Sequence, residues 1–183
     1  RVAPGAGFDT HGHKDMEILS LVLSGQIAHK DSAGNTEVLP AGEFQLMSAG
    51  RGIYHSEFNA SEQDELTFLQ IWLQPNQQGG EPGYQQKDFG QRDGLTLILS
   101  PDGRDGSLTL RQDALLYQLI LPTAQQLTYS SRAGRKQYIH LISGGLDVAG
   151  NKLQPGDGIK ISDEVVLQLS ATTAVKALIF DLP

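Results

Sequence analysis

Short apolar runs alternate with breaks of glycine, proline and polar residues along almost the whole chain. Seven runs rich in Leu, Ile, Val and aromatic residues have strand length: 17–23, 66–73, 95–99, 115–121, 138–142, 165–169 and 175–182. The clusters between them, at 31–35, 102–106 and 150–151, contain residue types that accept positive φ or make Asx-turns. The pattern predicts an all-β protein of sandwich or barrel type with little helix.

The two halves of the chain carry the same landmarks in the same order. Each half has a strand ending in Ser-Gly, then a hairpin, a Pro-x-x turn and a later strand that stops at proline. These landmarks are Gly25, Pro40 and Pro75 in the first half and Gly144, Pro155 and Pro183 in the second. The order predicts a tandem duplication. We place the domains at residues 1–92 and 93–183, connected through the polar segment 76–94.

Charge and composition narrow the classes of function. The net charge is -7 and the pI is about 5.1, so the field of the molecule repels phosphate backbones and direct nucleic-acid binding is not expected. The basic cluster Arg132, Arg135 and Lys136 is interpreted as a solvated turn. Because cysteine is absent, a bound metal must use nitrogen and oxygen ligands. No run has the length of a membrane span and no signal segment opens the chain, which favours a cytoplasmic protein without membrane contact.

A pair of histidines near the start of the chain is a candidate metal site. His11 and His13 are two residues apart, so on a strand both imidazoles project from the same face and can reach one ion. His55 and Glu57 have the same spacing. Glu17 and Glu57 both compete for the fourth ligand position, and spacing alone does not decide between them.

These residues lie within two wider frames. Gly5, His11, His13, Glu17 and Gly25 resemble the first motif of the cupin superfamily. Gly50, Gly52, His55 and Asn59 resemble the second, with Gly50 where that motif usually has proline. The glycines permit tight turns at strand ends, while the histidines project into a barrel small enough for one ion.

A closer resemblance covers essentially the whole chain. The stretches 11–17, 29–35 and 47–57 resemble the pirin family, especially its bacterial quercetinase-like members, and the similarity continues through 100–107 to 180–183. Two departures are visible. Gly12 stands where pirins commonly have proline, and pirins carry an additional N-terminal stretch before the position matching Arg1.

The resemblance implies two tandem jelly-roll-like cupin barrels, a bicupin, with the metal in the first. It implies one divalent transition metal, Fe(II) before Cu, Mn, Ni or Zn, and four ligands: His11, His13, His55 and Glu57. Glu17 is then expected to orient an imidazole. The implied activity is that of an oxidoreductase, a quercetin 2,3-dioxygenase that opens the central ring of a flavonol with dioxygen and releases carbon monoxide. Glu57 would accept the proton of the flavonol hydroxyl.

The remaining candidates receive simpler interpretations. Phe8, Met47 and Tyr54 are proposed to line the pocket of a flat aromatic substrate. His29 and His140 are interpreted as packing or surface residues, and Phe68 and Trp72 as core. The alternative function, also drawn from the family, is a metal-bearing regulatory protein that modulates a transcription or enzyme partner without turnover.

Overall fold

In a computed structural model, which describes residues 1–162 and 164–183, the regular secondary structure consists almost entirely of β-strands. The first eight are β1 (Gly7–His13), β2 (Glu17–Ser24), β3 (Gln26–Asp31), β4 (Thr36–Pro40), β5 (Phe44–Ser48), β6 (Ile53–Asn59), β7 (Thr67–Leu73) and β8 (Gly83–Lys87). The others are β9 (Gly94–Ser100), β10 (Leu108–Thr109), β11 (Leu115–Leu121), β12 (Gln126–Ser130), β13 (Lys136–Ser143), β14 (Leu146–Val148), β15 (Asn151–Leu153), β16 (Gly158–Ser162), β17 (Val166–Ala171) and β18 (Val175–Leu182).

The all-β prediction is confirmed, and each of the seven apolar runs contributes a strand. In the described ranges the helical content is one 3-10 turn, Arg104–Gly106. No helix in this part of the chain is long and apolar enough to cross a bilayer.

The strands form four open sheets in two compact units. The first unit comprises Arg1–Gly90 with Leu110–Gln112, and its sheets have the strand orders β1-β6-β3-β4 and β7-β2-β5-β8. The second comprises Gln91–Thr109 with Asp113–Pro183, and its sheets have the orders β10-β9-β11-β18-β13-β16 and β12-β17-β14-β15. The sheets are not closed barrels, and the description as two tandem cupin domains divided after residue 92 stays a prediction.

Two local features recur in both units at the positions of the sequence landmarks. Gly25 and Gly144 both have positive φ, 81° and 88°, directly after an irregularity in strand register. A Cβ at Gly144 would collide with the backbone of Ala174, and one at Gly25 would come within 3.1 Å of the backbone of Leu66, which is tighter than ordinary contact. Only glycine combines this φ with such a close approach, which explains why the Ser-Gly signature appears twice.

Arg135 corrects the interpretation of the basic cluster as a solvated turn. Its side chain is 13% exposed and forms ion pairs with the buried Asp181 and with Asp113. Asp181 also accepts hydrogen bonds from the hydroxyls of Tyr129 and Ser131, both at 2.7 Å. Burial raises the pKa of Asp181, but the hydrogen bonds from Ser131, Arg135 and Tyr129 outweigh it and hold the pKa below its ordinary value.

We expect Asp181→Asn to lower the free energy of unfolding of the second unit by about 3 kcal/mol, because it removes the buried counter-charge of a largely buried guanidinium and leaves only the exposed Asp113. A depressed folded-state pKa stabilises the protein above the ordinary carboxyl pKa of about 4, and this contribution is lost as the pH falls through the folded value. Urea denaturation should therefore show the difference between variant and wild type shrinking below pH ~4. Asp113→Asn, at the exposed end of the same arginine, should cost less than about 1 kcal/mol. Equal costs for the two variants would contradict this account.

Candidate metal centre

Three imidazoles meet on one face of the sheet formed by β1 and β6. His11 pairs with His55 across the two antiparallel strands, and His13 lies two residues further along β1. The Nε2 atom of His55 lies 3.0 Å from Nε2 of His13 and 3.0 Å from Nε2 of His11. The pairwise ring centroids are 4.5 to 4.9 Å apart. The structure therefore brings together the three histidines predicted from their spacing.

An irregularity in β1 sets the orientation of the first imidazole. The register with β6 shifts between Phe8 and His11, and the Nδ1 atom of His11 lies 2.7 Å from the carbonyl oxygen of Asp9. With the Nδ1 proton donated to that carbonyl, the lone pair of His11 is on Nε2 and faces the other two imidazoles.

The environment keeps the central imidazole uncharged. Burial and the neighbouring imidazoles lower the pKa of His55 to about 3. Burial, followed by the charge of His11, lowers the pKa of His13. At neutral pH, His55 therefore offers a nitrogen lone pair without first losing a proton, which is what a metal ligand requires.

Glu57 lies on the same face of β6 and is buried. Its Oε2 accepts a hydrogen bond of 2.7 Å from the side-chain amide of Gln70, whereas Oε1 is buried with no hydrogen-bond partner in the described part of the chain. Burial raises the pKa of Glu57, and the Gln70 hydrogen bond opposes this. Glu57, His55 and His29 offer ligand atoms within 4.8 Å of one another.

His29 is the residue whose place at the site the sequence did not indicate. It lies on β3 directly opposite Glu57, is 1% exposed, and its ring centroid is 5.4 Å from that of His55. Its Nε2 contacts Asp31 Oδ2 at 3.1 Å and its Nδ1 lies 3.4 Å from Gln45 Nε2. A signal that could have found it is its two-residue spacing from Asp31, which on a strand places both side chains on one face.

The prediction that Glu17 orients an imidazole is wrong. Glu17 and Ser20 project from opposite faces of β2, because side chains alternate along a strand, and Ser20 is the one aligned with Gln70. The Glu17 carboxylate accepts hydrogen bonds from the Ser48 hydroxyl at 2.8 Å and from the backbone N–H of Arg111 at 3.4 Å. Its partners are therefore structural and lie away from the histidines.

The aromatic residues near the site are arranged differently from the sequence predictions. Trp72 is not core: it is 55% exposed, and its ring centroid lies 5.2 Å from that of His13. Phe68 does pack against a buried cluster. Tyr54 alternates with His55 and is turned to the other face of β6, so it is not a pocket wall. Phe8, 49% exposed, pairs with Glu57 and shares its face.

Met47 and Gly12 both have packing roles near the candidate site. Met47 is fully buried in a small cluster with Ile18, Ala49 and Ile53, so it supports the strands rather than presenting an open surface. Gly12 lies beneath Tyr54, and a side chain there would come within 2.9 Å of the Tyr54 ring. The glycine that departs from the common pirin pattern thus makes room for a tyrosine on the outer face.

The donor set fits a transition-metal ion. Two ligand atoms about 2.1 Å from an ion and at right angles to each other lie about 3.0 Å apart, which is the separation of the imidazole nitrogens. Three neutral imidazoles and a carboxylate suit Fe, Mn, Ni, Cu or Zn far better than Mg or Ca. Glu57 offers a ligand atom within 4.8 Å of those of His55 and His29, and its Oε1 has no hydrogen-bond partner among the described residues.

Comparison with known proteins shows which class of protein the chain resembles. Residues 1–73 match the family model described as Pirin, and residues 97–182 match the model described as Quercetinase C-terminal cupin domain. The fold is thus of cupin type. Quercetin 2,3-dioxygenase of Escherichia coli strain K12 is 45% identical over 182 residues, which cover 100% of this chain and 79% of the relative.

Two solved structures have a fold similar to that of this chain. The crystal structure of YhhW from Escherichia coli has 46% identity and a TM-score of 0.97, covering 98% of this chain and 77% of that one. The structure of the bacterial pirin YhhW in complex with nickel(II) has 45% identity and a TM-score of 0.96, covering 99% and 78%. The chain belongs to the pirin family.

Proposed function

We propose that this pirin is a metal-dependent dioxygenase that opens the central ring of a flavonol such as quercetin. The observation that carries the proposal is the convergence of His11, His13 and His55 at ligand spacing. Glu57, whose Oε1 has no hydrogen-bond partner among the described residues, lies at ligand spacing from His55. The relatives named quercetin 2,3-dioxygenase support the reaction class. The site lies in the first unit, and we interpret the two units as tandem cupin domains.

The four residues are proposed to hold one divalent ion, with Fe(II) as the working metal. Iron is compatible with an all-nitrogen and oxygen donor set and with dioxygen chemistry, while the nickel(II) complex of the relative supports a divalent transition ion more generally. When bound, the ion would supply a Lewis-acid centre that holds the deprotonated flavonol hydroxyl close to dioxygen.

Glu57 is proposed to take the proton of that hydroxyl at Oε1. The Gln70 amide holds Oε2 at 2.7 Å and thereby fixes the direction of the other oxygen. The Gln70 amide oxygen in turn accepts a hydrogen bond of 3.2 Å from the indole N–H of Trp72. Burial raises the pKa of Glu57, which makes it a better proton acceptor than an exposed carboxylate.

Trp72 and Phe8 are proposed to contact the flat rings of the substrate. Both are large apolar side chains that remain about half exposed, at 55% and 49%, although they lie next to the buried donor groups. Covering such surfaces with a planar ligand removes apolar area from water and adds aromatic contact. An aromatic rim around a polar, metal-binding centre is the arrangement expected for a flavonol.

Trp72→Ala is expected to raise KM for quercetin about tenfold and to change kcat less, because it removes ring contact without touching a ligand atom. Trp72 is the only tryptophan of the chain, so quenching of its emission reports substrate binding in the wild type. Tyr54→Ala removes an equally exposed aromatic side chain from the opposite face and serves as the control. An unchanged KM in the Trp72 variant would exclude it from the substrate site.

The reaction itself is tested by aerobic incubation of the iron-loaded protein with quercetin. Loss of flavonol absorbance together with release of carbon monoxide is the expected result, and the metal-free protein is the reference. Copper-, manganese-, nickel- and zinc-loaded samples identify the active ion. If no metal supports turnover, the dioxygenase proposal fails and the regulatory function becomes the better account.

A further inference from the structure

The second unit contains a cavity of about 260 Å³ that the proposed dioxygenase function does not use. It is formed by the ends of β11, β12 and β18 together with the 3-10 turn and the loop after β12. Three arginines, two tyrosines and two aspartates are among the residues that line it. The lining comprises Pro101, Arg104, Asp113, Leu115, Tyr117, Tyr129, Ser130, Ser131, Arg132, Arg135 and Asp181.

The inner wall of this cavity is electrostatically satisfied. Arg135 is shared between Asp181 and Asp113, and it also donates to the backbone carbonyl oxygens of both residues, at 2.9 and 3.0 Å. The hydroxyl groups of Tyr129 and Ser131 donate hydrogen bonds to the Asp181 carboxylate. These groups therefore have little capacity left for a ligand, and they hold the wall rigid.

Arg104 and Arg132, at the outer side of the cavity, have weaker or fewer side-chain contacts than Arg135. The contacts of Arg104 with the exposed carboxylate of Asp102 are long, 3.4 to 3.5 Å, and Arg104 also donates to the hydroxyl of Tyr117. Arg132 is exposed, and its side chain has no hydrogen-bond or ion-pair partner among residues 1–162 and 164–183. Only its backbone carbonyl accepts hydrogen bonds, from Ser131 and Arg135. The lining holds three arginines and two aspartates, an excess of one positive charge on a molecule of net charge -7.

The cavity also offers an aromatic surface. Tyr117 is half-buried, and its ring meets that of Tyr129 edge-on with centroids 5.8 Å apart. Leu115 and Pro101 add apolar surface beside it. Because guanidinium groups bind planar carboxylates through paired hydrogen bonds, spare arginines next to an aromatic ring favour a ligand with a carboxylate at one end and a ring at the other.

We propose that this cavity binds a small, single-ring aromatic carboxylate, its carboxylate held by Arg104 and Arg132 and its ring against Tyr117. The volume limits the size, since pockets for drug-sized ligands span about 300–1,000 Å³ and this cavity is smaller. The site is separate from the candidate metal centre, because every lining residue belongs to the second unit.

Benzoate is the probe, and the full-length metal-loaded protein with ring-labelled tyrosine is titrated by NMR. The chain has five tyrosines. Resonances of Tyr117 and Tyr129 should shift along one saturable curve with a Kd of about 1 mM, while those of Tyr54 and Tyr84 in the first unit should not. His55→Ala should give the same Kd, which excludes benzoate bound at the metal centre.

Arg132→Gln and Arg104→Gln should each weaken benzoate binding about tenfold, and Arg132→Lys, which keeps the charge but not the planar fork, less. Arg51→Gln removes an exposed, ion-paired arginine from the first unit and should change nothing. The dispersion of the tyrosine spectrum shows whether each variant is folded. If Arg132→Gln is not folded, Arg132→Lys is used in its place.

Three outcomes would overturn the proposal. One is the absence of Tyr117 shifts at about 10 mM benzoate, where a 1 mM site is about nine-tenths occupied. Another is undiminished binding in the Arg104→Gln, Arg132→Gln double variant. The third is inorganic phosphate or the neutral analogue benzamide binding as tightly as benzoate, since either would show that the carboxylate and the ring are not recognised together.

Discussion

Replacing His55 by alanine is expected to reduce bound metal from about one ion per chain to less than about a tenth, and to lower kcat/KM for quercetin at least about a thousandfold. The effect should be large because the Nε2 atom of His55 is the one that lies 3.0 Å from both other imidazole nitrogens. Without it the remaining donors no longer surround a common point. Quantitative metal analysis and the loss of flavonol absorbance measure the two effects.

Two controls separate the metal site from protein folding. His140→Ala removes a histidine of the second unit and should retain both metal and activity. His13→Ala acts on a less buried ligand and should lose metal with a smaller risk of misfolding, as checked by circular dichroism. If His55→Ala were folded and kept its metal, the three-imidazole site would be wrong.

Glu57→Gln is expected to lower kcat about a thousandfold while leaving quercetin binding, followed through Trp72 emission, nearly unchanged. The amide is close in shape to the carboxylate and can still accept the Gln70 hydrogen bond, but it cannot take a proton and carries no charge toward the ion. Metal content should therefore fall less than in the His55 variant. A variant with normal kcat would remove Glu57 from the mechanism.

Glu17→Gln tests the other carboxylate under the same conditions. Glu17 contacts Ser48 and the Arg111 backbone, so we expect normal metal content, a kcat within about twofold of the wild type, and some loss of thermal stability. If Glu17→Gln lost metal and Glu57→Gln kept it, the assignment of the carboxylate ligand would be reversed.

The strands could be predicted because apolar side chains must alternate with breaks at strand length, whatever the rest of the fold. The sequence also indicated that His11 and His13 share a face, and that His55 and Glu57 share one, because a two-residue spacing has this consequence on any strand. The pair on β1 meets the pair on β6 because of the register between these two strands. This register cannot be predicted from a local sequence pattern.

Residues that depend on such register were misjudged. His29 was interpreted as a packing or surface residue, but β3 places it opposite Glu57. Arg135 was interpreted as solvated, but it pairs with Asp181, 46 positions away. Trp72 has the apolar character of a core residue, yet its position near His13 leaves it half exposed. In each case the decisive neighbour is distant in sequence.

By itself the sequence determined the β architecture, the turn glycines at positive φ and the pairs of side chains that share a strand face, because these follow from local sterics and side-chain alternation. Only the tertiary structure decided that His29 and Glu57 lie beside His55, which aromatic rings remain exposed, and that arginines of the second unit line a cavity. The physical reason is that burial and charge pairing are set by strand-to-strand register, a relation between segments rather than a property of any one of them.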